Sequence, residues 1–599
     1  MGFGAKYMGK TLRIGGASGY WGESAMATPQ LLKSDNLDYL VYDYLAEITM
    51  SILARAKAKD PEKGYATDFV EAVIKPHAAD IKKTSVKIIA NAGGVNPKAC
   101  ADAVRAVLAK LNIDLKVAVI TGDDRLPQKL EIATHVPNDM FTGAAFPSAD
   151  KIASINTYLG AFPIANALGQ GADIVITGRV VDSAVTLGAC IHEFGWEATD
   201  WDRLASGSLA GHILECGPQA TGGNFTDWED AGDISNIGYP IAEISMDGSF
   251  VTTKPKGTGG IVNVGTVSEQ MLYEIGDPQN YILPDVICDF SDVRITQIGD
   301  NRVQVSPAKG RPAPTHYKTC LTYMDGYRAG TYLTLYGVDA DRKARHLADS
   351  ALTRSNKALR QFNLGEFTEF SCEIIGAGSQ MGVIRASDEV VAKVAVKHPD
   401  IRGVGIFLKE LAGIGLATPP GLSGFTGAGR PRPSPVVRLF SYLTPKSDVE
   451  IRIDVDGEIT NFKDIQPPKP ISETPHALPT TPTDADVEVP LIALAWGRSG
   501  DKGDKANIGI IARKAEYLPY IWAALTPDFI QEVFRHFAED GATIDRYLLP
   551  AANAMNILID QALGGGGAAS LRNDAQGKGF AQILLAKSVP VSKAIAEAL

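Results

Sequence analysis

Short runs of β-forming residues alternate with helical stretches through the first 200 residues of this 599-residue chain. A strand, a helix and a further strand in succession are typical of a parallel sheet covered by helices. Strands are predicted at 12–15, 38–42, 86–90, 115–120 and 173–176. The alternation therefore predicts an α/β N-terminal unit with a parallel sheet of the doubly wound, Rossmann-like kind.

The pattern changes near residue 240 to strands separated by turns, predicted at 241–245, 261–264, 293–298 and 302–305, with a helix over 340–361. We interpret 241–465 as an α+β elaboration of the unit at 1–240, so that 1–465 forms one core. Proline-rich residues 466–487 predict an extended linker. A separate α+β domain is then expected over 488–599, with strands at 491–496, 508–512 and 583–587 and helices within 517–538.

Charge and composition exclude several classes of protein. The net charge of −11 is not the clustered positive charge of a nucleic-acid or anionic-membrane binder. No apolar run reaches the length of a transmembrane helix, and the first ten residues lack the apolar core of a signal peptide. The six cysteines are scattered without a CxxC pair, which favours a reducing compartment. We expect a cytoplasmic protein with no nucleic-acid or membrane partner.

Candidate site residues follow the predicted parallel strands, because ligands bind beyond the carboxyl ends of such strands. These residues are Ser18, Gly19, Asp43, Asn91, Gly93, Gly94, Thr177, Gly178, Arg179 and Asp182. A guanidinium beside a glycine turn suits a carboxylate or phosphate, although Arg179 could instead form a structural ion pair. Asp182 could act on a substrate or cap the helix that follows it.

Three further stretches combine glycine with reactive or polar groups: Glu215, Cys216, Thr221, Gly222, Gly223 and Asn224; Gly257, Thr258 and Gly259; and Arg498, Ser499, Asp501 and Lys502. The first could supply a base or nucleophile with oxyanion donors, but Cys216 could equally be an inert buried thiol. The second could cradle an anion or form a hairpin turn. The third is predicted as a glycine-hinged loop that binds a charged group or is simply solvated.

These segments resemble the acyclic terpene utilisation (AtuA-like) family over nearly the whole chain. The matching stretches include GGASGYWGES (15–24), NAGGVNP (91–97), ITGRVVDSA (176–184), ECGPQATGGNF (215–225) and YILPDVICDF (281–290). GRSGDKGDKANIGI (497–510) and LGGGGAASLRNDAQGK (563–578) are similar to the ferredoxin-like companion domain of that family.

The resemblance implies breakdown of branched isoprenoid acids as coenzyme A thioesters, by a lyase that splits a 3-hydroxy-3-isohexenylglutaryl-CoA into acetate and a 3-oxoacyl-CoA. A carboxylate (Asp182, Asp43 or Glu215) would be the base, and Arg179 would bind the departing carboxylate. The backbone at 222–223 or 93–94 would bind the oxyanion. Coenzyme A enters as part of the substrate, carboxylates leave room for Mg²⁺, and we expect a homo-oligomer. Two alternatives are an acyl-CoA hydratase or dehydratase and a non-catalytic acyl-CoA-binding subunit.

Overall fold

The computed structural model describes residues 9–23, 25–136, 138–424, 431–464, 468, 471–472, 475–539 and 541–599. Parts of the predicted linker (466, 467, 469, 470, 473 and 474), and the predicted core boundary at 465, lie outside the described residues.

The described residues of the N-terminal part form six strands and eight α-helices. They are β1 (Thr11–Ser18), α1 (Ala27–Leu32), β2 (Tyr39–Tyr42), α2 (Glu47–Lys59), α3 (Lys75–Thr84, preceded by a π-helix at Phe69–Ile74), β3 (Lys87–Ala90), α4 (Pro97–Leu111), β4 (Val117–Thr121), α5 (Lys129–His135), β5 (Ile152–Thr157), α6 (Phe162–Gly169), β6 (Ile174–Thr177), α7 (Ala184–Phe194) and α8 (Trp201–Glu215). The five predicted strands form a parallel array in the order β1-β2-β3-β6-β4. The predicted parallel sheet is confirmed.

Both faces of this array are buried, because side chains along a strand point alternately to opposite faces. In β3, Ile88 and Ala90 pack with residues of α1, α2, α3 and α4, whereas Ile89 packs with α6, α7 and α8. Helices therefore cover both faces, and only the strand ends and their loops remain open to a ligand.

The middle of the chain, where it is described, adds fourteen strands and three α-helices. They are β7 (Ile241–Ser245), β8 (Phe250–Thr253), α9 (Val264–Leu272), β9 (Tyr281–Ile282), β10 (Ile287–Asp289), β11 (Ile295–Gly299), β12 (Arg302–Val305), β13 (Lys309–Arg311), β14 (His316–Tyr336), α10 (Ala340–Gln361), β15 (Glu369–Ile375), β16 (Glu389–His398), α11 (Ile401–Gly413), β17 (Leu422–Ser423), β18 (Ser434–Pro445), β19 (Ile451–Val455) and β20 (Glu458–Phe462). The strand predicted at 261–264 is wrong: Asn263 instead caps α9, and its side chain accepts the Thr266 N–H.

The elaboration extends the first sheet on both edges. Strands β7, β8, β12 and β11 continue it beyond β1, and β19 and β20 continue it beyond β4, all antiparallel, which makes an 11-stranded mixed sheet. A second sheet is built around β14, which pairs with β5, β16, β17 and β18, while β15 pairs with β16. Small strands β13, β10 and β9 form a third sheet.

The C-terminal part contains β21 (Val487–Pro490), α12 (Leu491–Leu494), β22 (Ala495–Lys502), β23 (Lys505–Ala512), α13 (Leu518–Ala524), α14 (Pro527–Phe534), β24 (Ile544–Leu549), β25 (Ala554–Ile559), α15 (Phe580–Leu585), β26 (Ser588–Val591) and α16 (Lys593–Glu597). Its antiparallel sheet has the order β22-β23-β25-β24. Two predicted strands are wrong in part: 491–494 is helix α12, and most of 583–587 belongs to α15. Buried apolar runs of this length do not distinguish a strand from a helix segment.

Polar contacts hold the C-terminal part against the large one. Arg513 donates to both carboxylate oxygens of Asp227, at 2.7 and 2.6 Å. Asn507 donates to the Leu272 carbonyl at 2.9 Å, and Asn556 donates to the Ile275 carbonyl at 2.8 Å. These bonds fix the C-terminal sheet relative to the end of α9 and to the segment at Asp227. Within the described residues, no helix is long and apolar enough to cross a membrane.

Candidate active site

Two polar side chains at the carboxyl ends of β2 and β3 contact one another. The Asn91 amide donates to Asp43 Oδ1, and its own oxygen accepts the Tyr44 N–H at 2.7 Å. Burial is the largest cause of a pKa of Asp43 well above its usual range, and the nearby Asp182 carboxylate raises it further, while Arg179 opposes both. Asp43 is therefore a buried carboxyl suited to holding a proton.

Arg179, at the end of β6, is almost completely buried, with 4 % of its surface exposed. Its Nη1 donates to Asp182 Oδ1 at 2.7 Å and to the Leu45 carbonyl at 2.8 Å, and its guanidinium carbon lies 4.3 Å from the Tyr158 ring centroid. The side chain of Asp182 is 36 % exposed. Arg179 thus forms the structural ion pair, and the accessible member of the pair is the carboxylate.

The end of α8 reaches the site because glycines at the end of β1 and in the loop that follows it allow its close approach. A Cβ on Gly16 would lie 2.6 Å from the Leu214 carbonyl oxygen, and a Cβ on Gly19 would lie 3.0 Å from the Cys216 backbone. Glu215 Oε1 lies 2.8 Å from Nδ1 of the buried His212. Burial is the largest cause of the raised pKa of Glu215, and Asp182 adds to it, whereas His212 and Lys502 lower it.

The thiol next to Glu215 lacks the surroundings of a nucleophile. Burial raises the pKa of Cys216, and the Glu215 and Glu274 carboxylates raise it further. Cys216 is therefore a protonated thiol.

A second wall of the site comes from α2 and the second sheet. The Tyr158 hydroxyl donates to Glu47 Oε1 at 2.5 Å, and Lys318 Nζ lies 3.9 Å from the same oxygen. Although burial raises the pKa of Glu47, Lys318 and Arg179 lower it to about 2. Glu47 is thus held as a carboxylate.

The C-terminal domain contributes Lys502 to the same site. Lys502 Nζ lies 5.9 Å from the Tyr281 ring centroid. Many protein atoms lie near the ammonium, but the residue is accessible to solvent. Burial lowers the pKa of Lys502, but Tyr281, Glu274, Asp182 and Glu215 outweigh it, so the pKa is raised. In the described part of the chain, Lys502 forms no ion pair. The residues predicted as a loop here belong to β22, which aims Lys502 between the domains.

Neighbouring lysine Lys578 is already paired. Its ammonium lies 2.7 Å from Glu274 Oε1 and 3.2 Å from Asp501 Oδ1, and it donates to the Tyr273 hydroxyl. Burial and Glu274 raise the pKa of Asp501 to about 6, against the pull of Lys578. Lys502 therefore remains available to an anionic ligand, whereas Lys578 does not.

Several predicted backbone donors are used inside the protein. The Gly93 N–H donates to the Thr177 carbonyl at 3.0 Å, that of Gly94 to Asn91 at 3.4 Å, and that of Gly223 to Pro218 at 2.8 Å. The Gly19 N–H donates to Glu23 Oε2 at 2.7 Å. These four groups are not free to bind an oxyanion.

The remaining predicted binding residues have mostly structural contacts. Hydroxyl groups donate to nearby carbonyls at Ser18, Thr177, Thr221, Thr258 and Ser499. Gly178 packs against Asp123, and Gly222 has a left-handed φ of 106°. Arg498 donates to the Asn224 carbonyl. Gly257 and Gly259 lie in a turn held by bonds among residues 233–259 and beside a separate groove that includes Arg13 and Gln30. The structure thus gathers Asp43, Asn91, Arg179, Asp182, Glu215, Asp501 and Lys502, but not the turn at 257–259.

Several residues of the site are missing from the sequence-based set, among them Tyr158, Lys318 and Tyr281. Tyr158 and Lys318 meet because β5 pairs with β14, a contact without a local sequence signal. Tyr281 lies within the family-like stretch 281–290, so that stretch did carry a signal. Among the described residues, no group of three or more histidine, cysteine, aspartate or glutamate side chains is arranged to hold a metal ion.

Two family models match the chain. The model of the acyclic terpene utilisation family protein AtuA matches residues 12–455, and the model of the AtuA ferredoxin-like domain matches residues 489–590. No curated protein and no solved structure was found to match it.

Proposed function

The chain belongs to the acyclic terpene utilisation family AtuA, and we propose that it is a lyase acting on a branched acyl-CoA. The proposed substrate is a 3-hydroxy-3-(carboxymethyl)acyl-CoA of the 3-hydroxy-3-isohexenylglutaryl-CoA type, cleaved by retro-aldol chemistry to acetate and a 3-oxoacyl-CoA. One observation carries this proposal: the unpaired Lys502 faces the accessible Asp182 carboxylate and the Glu215 carboxyl, whose pKa is raised.

The cleavage needs a base for the tertiary hydroxyl, and Asp182 is the best placed carboxylate. Its side chain is partly exposed to solvent, whereas its partner Arg179 is buried and fixes its orientation. We therefore assign Arg179 a positioning role in place of the expected contact with the departing carboxylate.

Bond cleavage sends an electron pair from the carbon–carbon bond to the methylene carbon of the departing carboxymethyl group. The extra negative charge is shared with its carboxylate, and Lys502 is the accessible cation that would stabilise it. The hydroxyl carbon becomes the ketone of the 3-oxoacyl-CoA.

A proton must then reach the methylene carbon to give acetate. The pKa values of Glu215 and Asp43 are raised, which favours their protonated forms and suits them to donate that proton. One proton leaves the hydroxyl and one arrives at carbon, so the reaction needs neither oxidant nor reductant.

The test is incubation of the purified protein with this thioester and with an unsaturated branched acyl-CoA, with and without Mg²⁺, followed by mass spectrometry. We expect acetate and a 3-oxoacyl-CoA. D182N should lower kcat/KM by about 1,000-fold. D339N is the matched control, because Asp339 pairs with Arg342 at the same three-residue spacing on an exposed surface.

Two results would overturn the lyase assignment. Addition of water to the unsaturated thioester without acetate release would indicate a hydratase, which uses the same acid and base groups. An unchanged panel of thioesters, with tight binding of one of them, would favour a non-catalytic binding subunit.

A further inference from the structure

A glycine loop, residues 564–567, lies at the junction of the C-terminal domain and the large part. Gly564, Gly565 and Gly566 have φ values of 67°, 93° and 80°, a left-handed backbone that favours glycine. The Asp504 carboxylate holds the loop by accepting the Leu563 N–H at 3.1 Å and the Gly565 N–H at 2.8 Å. The loop is thus fixed to the hairpin that carries Lys502.

Two arginine side chains flank this loop. A Cβ on Gly564 would lie 3.1 Å from Arg572 Nε, and a Cβ on Gly565 would lie 3.4 Å from Arg438 Nη1. A side chain at either position would therefore crowd the guanidinium groups that the bare backbone leaves open.

Of the arginines near the loop, Arg438 is paired with Asp325, whereas Arg572 and Arg328 donate to backbone carbonyls. Arg572 donates to the carbonyls of Ala562 and Phe537, and the nearby Arg328 donates to the Ser570 carbonyl at 2.9 Å. Neither arginine forms an ion pair within the part of the chain that the structure describes. Partly buried cations without a carboxylate partner are costly, and a bound anion would relieve that cost.

The loop also lies beside the candidate active site. A Cβ on Gly567 would be 3.5 Å from Ile48 Cδ1, and Ile48 directly follows Glu47 in α2. Arg438 pairs with Tyr323, five residues along β14 from Lys318, and five residues of a strand span roughly 17 Å.

That length can be compared with the pantetheine arm of coenzyme A. Three extended backbone bonds advance at most about 3.6 Å, so the roughly thirteen bonds from thioester sulfur to the first phosphorus advance about 16 Å. Because the separation is an odd number of residues, the side chains of Lys318 and Arg438 leave the second sheet on opposite faces. The arm is nevertheless long enough for a thioester held in the candidate active site to reach the glycine loop, which lies beside Ile48.

We infer that the glycine loop with Arg438 and Arg572 is a binding site for the phosphates of the coenzyme A moiety. This inference rests on the proposed function for the class of substrate. It adds a second anchor at the far end of the thioester, formed by the glycine loop and Arg572 of the C-terminal domain together with Arg438 of the large part.

The test uses the full-length protein and titration calorimetry with coenzyme A, pantetheine and inorganic diphosphate. We expect R438Q and R572Q each to weaken coenzyme A binding by about tenfold or more and to leave pantetheine binding unchanged. Diphosphate should compete with coenzyme A. R535Q is the control, because Arg535 lies on the exposed surface of the same domain and pairs with Glu532.

R438Q keeps the test decisive if R572Q fails to fold, because Arg438 pairs only with the exposed Asp325 among the described residues. Equal coenzyme A affinity in R438Q and R535Q would overturn the inference, as would equal losses for coenzyme A and pantetheine. If coenzyme A binding depends on Arg438 but no thioester is cleaved, the phosphate site stands and the lyase proposal falls. If cleavage occurs with a KM that R438Q does not change, the lyase proposal stands and the phosphate site falls.

Discussion

Lys502 Nζ lies 5.9 Å from the Tyr281 ring centroid, although the two residues belong to the C-terminal domain and to the small sheet of the large part. The contact places a cation from one domain against carboxylates of the other. Neither Asp182 nor Glu215 gains an accessible cation from its own element, because Arg179 is buried and His212 is enclosed. The proposed chemistry therefore depends on both domains.

We predict that K502M lowers kcat/KM by about 100-fold or more, because it removes the charge that would stabilise the departing carboxylate. The melting temperature should change little, since Lys502 is accessible to water and has no ion pair among the described residues. K514M is the control: Lys514 Nζ lies 5.4 Å from the Tyr517 ring centroid on the surface. Equal activity of the two variants would remove Lys502 from the proposed mechanism.

A second prediction concerns Asp123, a fully enclosed carboxyl that accepts the Arg179 N–H and the Asn156 amide, each at 2.9 Å. Burial raises its pKa to about 7. The folded state thus binds a proton more tightly than the unfolded state, so stability is lost as pH rises from about 4 to about 7.

D123N removes this titration. The free energy of unfolding of D123N minus that of the parent should therefore be about 2 to 3 kcal/mol larger at about pH 8 than at about pH 5. Denaturant unfolding at both pH values measures the difference, with D545N on the exposed part of β24 as control. A difference independent of pH would mean that Asp123 is ionised throughout.

The parallel sheet could be predicted because each of its strands has a local sequence signal, a short apolar run that ends in a glycine or polar loop. Helix α10 was predicted over 340–361 and is observed at Ala340–Gln361 for the same reason. Asp43, Arg179 and Asp182 are brought together because parallel strands end at one edge.

The rest of the site depends on contacts between distant parts of the chain. Lys318 reaches Glu47 only because the 21-residue strand β14 pairs with β5, and nothing in either segment specifies that partner. A structural ion pair at Arg179 was one of two alternatives that local sequence could not separate, because burial decides between them.

A third prediction separates carboxylate chemistry from thiol chemistry. C216A should keep kcat/KM within about threefold of the parent, because burial and two carboxylates raise the pKa of Cys216 and keep it protonated. E215Q, one residue earlier, should lose activity by at least about 100-fold. Inactivation by C216A with a normal melting temperature would instead indicate a nucleophilic thiol.

The last prediction asks whether Gly93 serves packing or ligand binding. A Cβ at Gly93 would lie 2.4 Å from the Thr177 carbonyl oxygen and 2.6 Å from Pro97 Cβ, so β6 and the start of α4 would have to separate. G93A should therefore destabilise the fold by about 3 kcal/mol and lower the melting temperature. In the control G169A, the new methyl group meets no heavy atom within 4 Å and the helix gains slightly. A normal melting temperature in G93A with a raised KM would show that the Gly93 backbone acts on the ligand, and would restore the backbone at 93–94 as an oxyanion site.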